Sequence, residues 1–316
     1  MSTTPSTRDR NVPYTVVGHR QQKADPSLPA LVLLNRSSRL VRRDYIAAIV
    51  EQGFSEIISV ELRENAYTVE SLNIEFPAVR FLLLDTPVNP GAQINLALGL
   101  IAAETVLVMW STMELPGNLL RARDTLMAGS ALCLAPSLRG ERGEQLPVVQ
   151  VPALHRRALR VMTLPLRTTA LDTLFPFDYV GLYHRLRFEQ AGGFDEKIER
   201  SFWQCLDLGF RVALWGGHIR IDPTFRMSYR SMPEPEDQTA GGGYDRFYAR
   251  NLAVRLREKG PAVSPLQALP FALRSGGSLL ETFRIFSEAS RWVEKNRDRF
   301  RRDARTVIRE WSVDHG

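Results

Sequence analysis

The chain has 316 residues, 44% hydrophobic and 24% charged, the balance of a globular protein large enough for one main domain and an appendage. Its net charge of +6 suits an acidic partner such as a nucleoside diphosphate, a lipid head group or nucleic acid. The only cysteines, Cys133 and Cys205, sit in apolar settings, which excludes a disulfide framework and a cysteine metal cluster and makes a reducing cytoplasm the expected location.

Residues 1–27 are polar and carry no apolar core, so a disordered tail is expected there and not a signal peptide. Buried-strand runs then recur at Leu28–Leu34, Ile57–Val60, Phe81–Leu84 and Thr105–Met109. Helical spacing lies between them at Arg42–Gln52 and Ala92–Ala103. This alternation predicts a mostly parallel, doubly wound α/β sheet whose ligands collect at the carboxyl ends of the strands, just after Leu34, Val60 and Met109. The longest apolar run, Leu96–Trp110, is broken by Gly99 and Glu104 and falls short of the roughly 18–20 residues that span a bilayer.

From Gly129 the pattern changes. Short strands are expected at Ala131–Ala135, Val148–Val151 and Ala158–Leu164, around a polar stretch at Arg139–Gln145, an insertion of the kind that builds a wall for a second substrate. The main domain is expected to cover 28–231, followed by a Pro-, Glu- and Gly-rich linker at 232–243 and a helical extension over 244–316. In the last helix Leu279, Phe283, Phe286, Val293, Phe300, Ala304, Val307 and Trp311 form one apolar stripe opposite Arg291, Lys295, Arg299, Arg301, Arg302 and Arg305. That stripe either packs on the main domain or meets a membrane surface or partner, and the basic face makes the inner face of the membrane an alternative location.

The segment FPFDYVGLYHRLRFEQAGGFDE, Phe175–Glu196, followed by DLGFR, Asp207–Arg211, resembles the acceptor-side half of the inverting family 2 glycosyltransferases of GT-A fold. There a strand reading G-x-x-x-x-R leads into GGFDE and then EDxDLxxR. The resemblance covers about Leu28 to Arg230 and implies a GT-A-like mixed sheet flanked by helices, a nucleotide-sugar donor, a glycan or lipid acceptor and a divalent metal. On the donor side it implies roles for Asn35 and Arg36, after the first strand, and for Glu61, where an acid commonly receives the nucleobase. Glu61 reads equally as a solvated carboxylate at a strand end. Gly91 and Asn95 match the family's NxGxxxAxNxG helix, where the glycine permits a tight turn and the helix start offers free amides to an anion. Around the acceptor it implies Gly192, Gly193, Phe194, Asp195 and Glu196, with Trp203 either stacked on a sugar or part of the core.

The chemical positions depart from the family. In VLVMWSTMELP, 106–116, Trp110 and Thr112 replace both aspartates of the DxD motif. A hard divalent cation takes oxygen ligands and Trp supplies none, so no metal or other cofactor is expected. Gln204 and Cys205 replace the Glu-Asp pair that supplies the base, and an amide cannot take a hydroxyl proton. Glu199 and Asp207 remain as candidate bases, though one reads first as a surface residue and the other as a helix anchor. Arg36, Arg39, Arg42 and Arg43 offer a guanidinium cluster that either pairs with diphosphate oxygens in place of a cation or forms a solvated helix start.

Two readings follow: a glycosyltransferase-like enzyme with an altered, metal-independent site, or a catalytically inactive module of the same fold that binds a glycan, a nucleotide or a partner. Both expect a cleft stripped of the acids that hold a cation and accept a proton. Nucleic acid is disfavoured, because the terminal arginines alternate with Glu288, Glu294, Asp298, Asp303 and Glu310 and no reading module accompanies them.

Overall fold

The computed structural model describes residues 12–19, 25, 27–36, 43–155, 158–166, 168–258, 260–275 and 278–314. The chain opens with β1 (Tyr14–Val17) and then alternates β2 (Ala30–Leu34), α1 (Arg43–Glu51), β3 (Ile57–Leu62), α2 (Ala66–Glu75), β4 (Val79–Leu84), α3 (Pro90–Leu100), β5 (Thr105–Trp110) and α4 (Leu119–Ala128). The runs ALVLL, VRFLLL and TVLVMW are buried at every position, as strands of a parallel sheet are when helices cover both faces. Further along come β6 (Cys133–Arg139), β7 (Val149–His155), β8 (Ala158–Leu164), β9 (Leu171–Thr173), β10 (Gly181–His184), α5 (Arg185–Ala191), α6 (Ser201–Leu214) and β11 (Ile219–Ser228).

Among the described residues nine strands form one sheet in the order β1-β4-β3-β2-β5-β10-β6-β11-β9. β4, β3, β2 and β5 run parallel, β10 lies antiparallel between β5 and β6, and β11 is parallel to β6. The chain leaves β2 towards β3 on one side and returns at β5 on the other, which puts a topological switch between β2 and β5. Leu34 and Trp110 are register partners at its carboxyl end, where a crevice is expected. This is the predicted mixed α/β sheet, with the β7–β8 hairpin where the insertion was expected.

Two expectations need correction. Part of the supposed disordered tail is structured: Tyr14–Val17 pairs antiparallel with β4 and covers the sheet edge, while residues 1–11, 20–24 and 26 lie outside the described residues. The apolar stripe of the extension also does not run along one helix. After α7 (Tyr244–Phe247) and a π-helical turn at Tyr248–Leu252 come β12 (Arg255–Arg257), β13 (Gly260–Ala262), α8 (Ala268–Ser275), α9 (Leu279–Lys295) and α10 (Ala304–Asp314). The break between α9 and α10 docks on α6, where the amides of Arg301 and Arg302 donate to the Leu214 carbonyl at 2.8 and 3.1 Å. Trp215 stacks on Trp292 at 5.8 Å, and both rings meet Phe300. Phe286, Val293, Phe300, Ala304 and Val307 are buried, so most of the stripe is core, whereas Leu279 and Phe283 stay exposed. Among the described residues no helix is long and apolar enough to cross a membrane.

Candidate functional site

The carboxyl tips of β2, β3 and β4 frame a cleft of about 170 Å³ lined by Asn35, Arg36, Glu61, Leu84, Pro87 and Gln93. A larger hollow, about 270 Å³ between Pro29, Gln52 and Asn118, has Arg121 as its one charged lining residue and gathers no reactive groups. In the cleft, β2 ends where Asn35 and Arg36 begin, and β3 delivers Glu61. Glu61 is 3% exposed, so it is not a solvated strand-end acid. Ser59 Oγ donates to it at 3.0 Å, Asn65 Nδ2 at 3.2 Å and Asn35 Nδ2 at 3.3 Å. Burial raises its pKa and these donors act against the rise.

Trp110, at the end of β5, lies beside the cleft, under Arg36. Its indole lies beneath the Arg36 guanidinium, 3.9 Å from carbon to ring centroid, and its Nε1 donates to the Asp178 carbonyl at 2.9 Å. Arg36 also pairs with the Asp178 carboxylate, which accepts from the Tyr229 hydroxyl at 2.7 Å. Tyr229 reaches this point because β11 runs on past Ser228 into a bridge with Met113, beyond the tip of β5. Asp178 and Tyr179 have φ of 56° and 65°, a left-handed conformation that costs a non-glycine residue about 1 kcal/mol or more. Trp110, Tyr229 and Arg36 hold that turn in place. Arg43 is drawn away to Glu75, and Arg39 and Arg42 lie outside the described residues.

The cleft is not stripped of acids. Asp178 stands beside Trp110, and Glu236, from the stretch expected to be only a linker, feels its charge. Burial raises the Asp178 pKa, opposed by the Arg36 charge and the Tyr229 hydroxyl. Burial, then the Asp178 charge, push Glu236 up to about 7, with Arg36 pulling the other way. The Glu236 Oε1 is buried without a hydrogen-bond partner. The sequence held little to mark these residues, since Arg36 and Asp178 stand 142 positions apart. The nearest signal was an acid between prolines, Pro233-Glu234-Pro235-Glu236, in an otherwise flexible composition.

Most of the remaining predicted residues form a buried joint. Asn89 caps α3 by accepting from the Ala92 amide at 3.0 Å, and the Gly91 amide, expected to face an anion, donates to Gln204 Oε1 at 2.9 Å. Asn95 Oδ1 accepts from the Phe194 amide, and its Nδ2 donates to the Phe194 carbonyl and to Glu196, each at 2.9 Å. Gly192 and Gly193 adopt φ of 89° and 68°, turning the chain so that Phe194 enters a cluster with Tyr179 and Phe188. Asp195 is 0% exposed and held by Arg246 and Arg250 of the extension, whose charges outweigh burial and keep its pKa below the ordinary value. Trp203 packs against Tyr244 and Phe247 at 4.7 and 5.6 Å. In this geometry Gly91, Asn95 and the GGFDE loop join elements instead of lining an open pocket.

The candidate bases fare likewise. Asp207 is 1% exposed, paired with Arg211 at 2.9 Å and accepting from Asn251 at 2.7 Å, so it anchors α6. Glu199 is exposed, with its amide on the Gly242 carbonyl at 3.0 Å. Burial holds the Cys205 thiol well above its usual pKa.

A divalent cation does not fit the residues at the strand tip. Trp110 offers no oxygen, the Asp178 carboxylate is taken by Arg36 and Tyr229, and the Thr112 Oγ1, buried without a partner, is a single neutral donor. Among the described residues no group of three or more His, Cys, Asp or Glu is gathered.

No protein-family profile matches the chain, and no curated protein matches it. Solved structures do. The crystal structure of GalNAc-T7 with UDP, GalNAc and Mn2+ aligns at a TM-score of 0.59 and 11% identity over 93% of this chain and 58% of that one. The structure of S. aureus TarS 1-349 in complex with UDP-GlcNAc aligns at a TM-score of 0.49 and 12% identity, over 85% of this chain and 73% of that one. This chain therefore has the fold of the GT-A glycosyltransferases and spans 58% of the length of the GalNAc-T7 chain.

Proposed function

We propose that this protein is glycosyltransferase-like and binds a nucleotide sugar in the cleft at the tips of β2, β3 and β4, with the Arg36 guanidinium taking the place of a divalent cation. The observation that carries the reading is Arg36 lying on Trp110, a positive charge at the strand tip where the resemblance puts a metal-binding pair. A guanidinium pairs with two oxygens of a diphosphate at once, and Trp110 and Asp178 fix its plane before the ligand arrives. Glu61 and Asn35, which line the same cleft, receive the nucleobase. The UDP and GalNAc in the GalNAc-T7 structure support this ligand class. The acceptor is a glycan or lipid hydroxyl.

Calorimetric titration with uridine and guanosine diphosphate sugars, in Mn2+ or in chelator, tests this reading. Binding that ignores the chelator and weakens about tenfold or more in Arg36→Ala is expected. Binding that requires Mn2+ overturns the role of Arg36, and no binding to any donor overturns the reading. A second reading, a module that binds without transfer, draws on Gln204, whose amide is spent inside the protein; tight binding with no turnover would favour it.

We also propose an anionic membrane surface as the site of action. Residues 244–316 hold 15 of the 41 Lys and Arg but 9 of the 35 Asp and Glu, so the whole excess of +6 resides in the extension. Leu266, Leu273 and Leu280 are 79%, 74% and 86% exposed on and beside α8 and α9. Apolar side chains on a positively charged body suit anionic lipid. Co-sedimentation with phosphatidylglycerol vesicles, lost with phosphatidylcholine and weakened in Leu280→Glu, is the expected result; no sedimentation with either lipid refutes it.

A further inference from the structure

We infer that Glu236 is the proton acceptor for the glycosyl acceptor's hydroxyl, supplied from the segment between β11 and α7 in place of the carboxylate that the Gln204 position lacks. The inference rests on the nucleotide-sugar reading above.

The argument is first one of elimination. Among the described residues around the cleft and the start of α6, the other buried carboxylates have hydrogen-bond or ionic partners, and Glu199 is exposed. Glu61 accepts from Ser59, Asn35 and Asn65, and Asp178 holds Arg36 and Tyr229. Asp195 holds Arg246 and Arg250, Glu196 accepts from Asn95, and Asp207 holds Arg211 and Asn251. Glu236 alone in this set has a buried carboxylate oxygen with no partner. A buried acceptor left open is costly in a folded protein unless something else supplies its donor. An acceptor hydroxyl is such a donor.

Position is the second ground. Asp237 pairs with Arg200 at 2.9 Å and the Thr239 carbonyl accepts from Trp203 Nε1 at 2.9 Å, which holds the segment carrying Glu236 against the start of α6, where it feels the charges of Asp178 and Arg36. Cys205 is one half of the altered base pair. A carboxylate from another part of the chain thus approaches the place where the base is missing from the helix.

In the step inferred, the acceptor oxygen forms a bond to the anomeric carbon while that carbon's bond to the diphosphate oxygen breaks. The hydroxyl proton passes to Glu236, and the bonding pair leaves with the nucleoside diphosphate, whose charge Arg36 meets. Of the charged groups that Glu236 feels, Asp178 favours its protonated form and Arg36 the ionised form, while Tyr229, Tyr179 and Cys205, which feel Glu236 in turn, are uncharged at neutral pH. A base perturbed to about 7 makes transfer rise with pH through neutrality and level off above it.

The test pairs Glu236→Gln with Glu236→Asp and follows donor turnover, including hydrolysis with water as acceptor, alongside calorimetric binding of the same nucleotide sugars and thermal melting. Turnover in Glu236→Gln should fall about 100-fold or more and lose its rise through neutral pH, with donor affinity changed less than about threefold. Glu236→Asp should retain part of the rate and the pH rise. Unchanged turnover in a folded Glu236→Gln protein overturns the inference, as does a natural protein that binds donors yet neither transfers nor hydrolyses them. If no nucleotide sugar binds, the donor reading falls and this step with it.

Discussion

Gly91 and Gln204, 113 positions apart, meet at 2.9 Å, the glycine amide donating to the side-chain carbonyl of the glutamine. The same oxygen accepts from the Tyr179 hydroxyl at 2.7 Å. The Gln204 Nε2 donates to Asn89 Oδ1, Asp195 O and Ile198 O at 2.9, 2.9 and 3.0 Å. A side chain with both a donor and an acceptor end is what this joint demands, because it must satisfy an amide and a hydroxyl on one side and three oxygens on the other. A Cβ at position 91 would collide with Gln204, so the glycine is also needed for the close approach.

Placing an acid here is therefore expected to destabilise the protein without creating activity. Gln204→Glu would set a carboxylate against three oxygens, and a loss of roughly 2–4 kcal/mol is expected. Denaturant unfolding at neutral pH checks it, with the loss shrinking in acid as the new carboxyl takes a proton.

The extension is held to the main domain by a buried ion pair, Arg250 with Asp195, and Arg250 also lies over Trp292 at 3.9 Å. Removing Arg250 leaves the buried Asp195 carboxylate with Arg246 as its remaining cation, so Arg250→Met should cost about 2–3 kcal/mol, short of the cost of leaving a buried charge alone. The depressed Asp195 pKa gives the sign of the pH effect: its stabilisation is present above the unfolded value near 3.8 and lost as pH falls through the lower folded value. Urea midpoints for the natural protein and Asp195→Asn should lie far apart at pH 7 and draw together in strong acid.

Glu236 predicts the opposite slope. Its carboxyl, lifted from 4.5 to about 7, favours the folded state fully below about 4.5 and loses that advantage as pH rises through about 7. The ionised form costs about 3 kcal/mol at most. Glu236→Gln should therefore be more stable than the natural protein at pH 8 and close to it at pH 5, measured by melting temperature across that range.

Packing of α6 on the sheet depends on Gly209, where a Cβ would overlap the Leu174 carbonyl. Backbone cannot yield as a flexible side chain does. Gly209→Ala should lower stability by roughly 1–3 kcal/mol, read from denaturant midpoints.

Much of the architecture was written locally. LVLL, IISV, FLLL and TVLVM are short apolar runs between helical stretches, and burial on both faces follows from composition alone, so the doubly wound sheet could be read before the fold was seen. The strand tips carrying Asn35, Arg36, Glu61 and Trp110 were legible for the same reason, since a parallel sheet opens at its carboxyl ends. The single long helix proposed for the last residues was not, because helical spacing is blind to the Leu214 carbonyl that draws the chain out of helix at Arg301. Tyr14–Val17 became a strand through pairing with β4, not through an apolar signal of its own.

What the sequence by itself determined is the alternation of strand and helix, the glycines that turn the GGFDE loop and the Trp110 and Thr112 at and beyond the tip of β5. Only the tertiary structure decided what the loop and the cleft contain. Periodicity reports which face of an element is apolar, but contacts between residues more than a hundred positions apart leave no such trace. Arg36 finds Asp178, and Gln204 finds Gly91, because the sheet order brings the strand ends together. Burial then sets the charge state of Glu236 and occupies Asp195, neither of which linear order conveys.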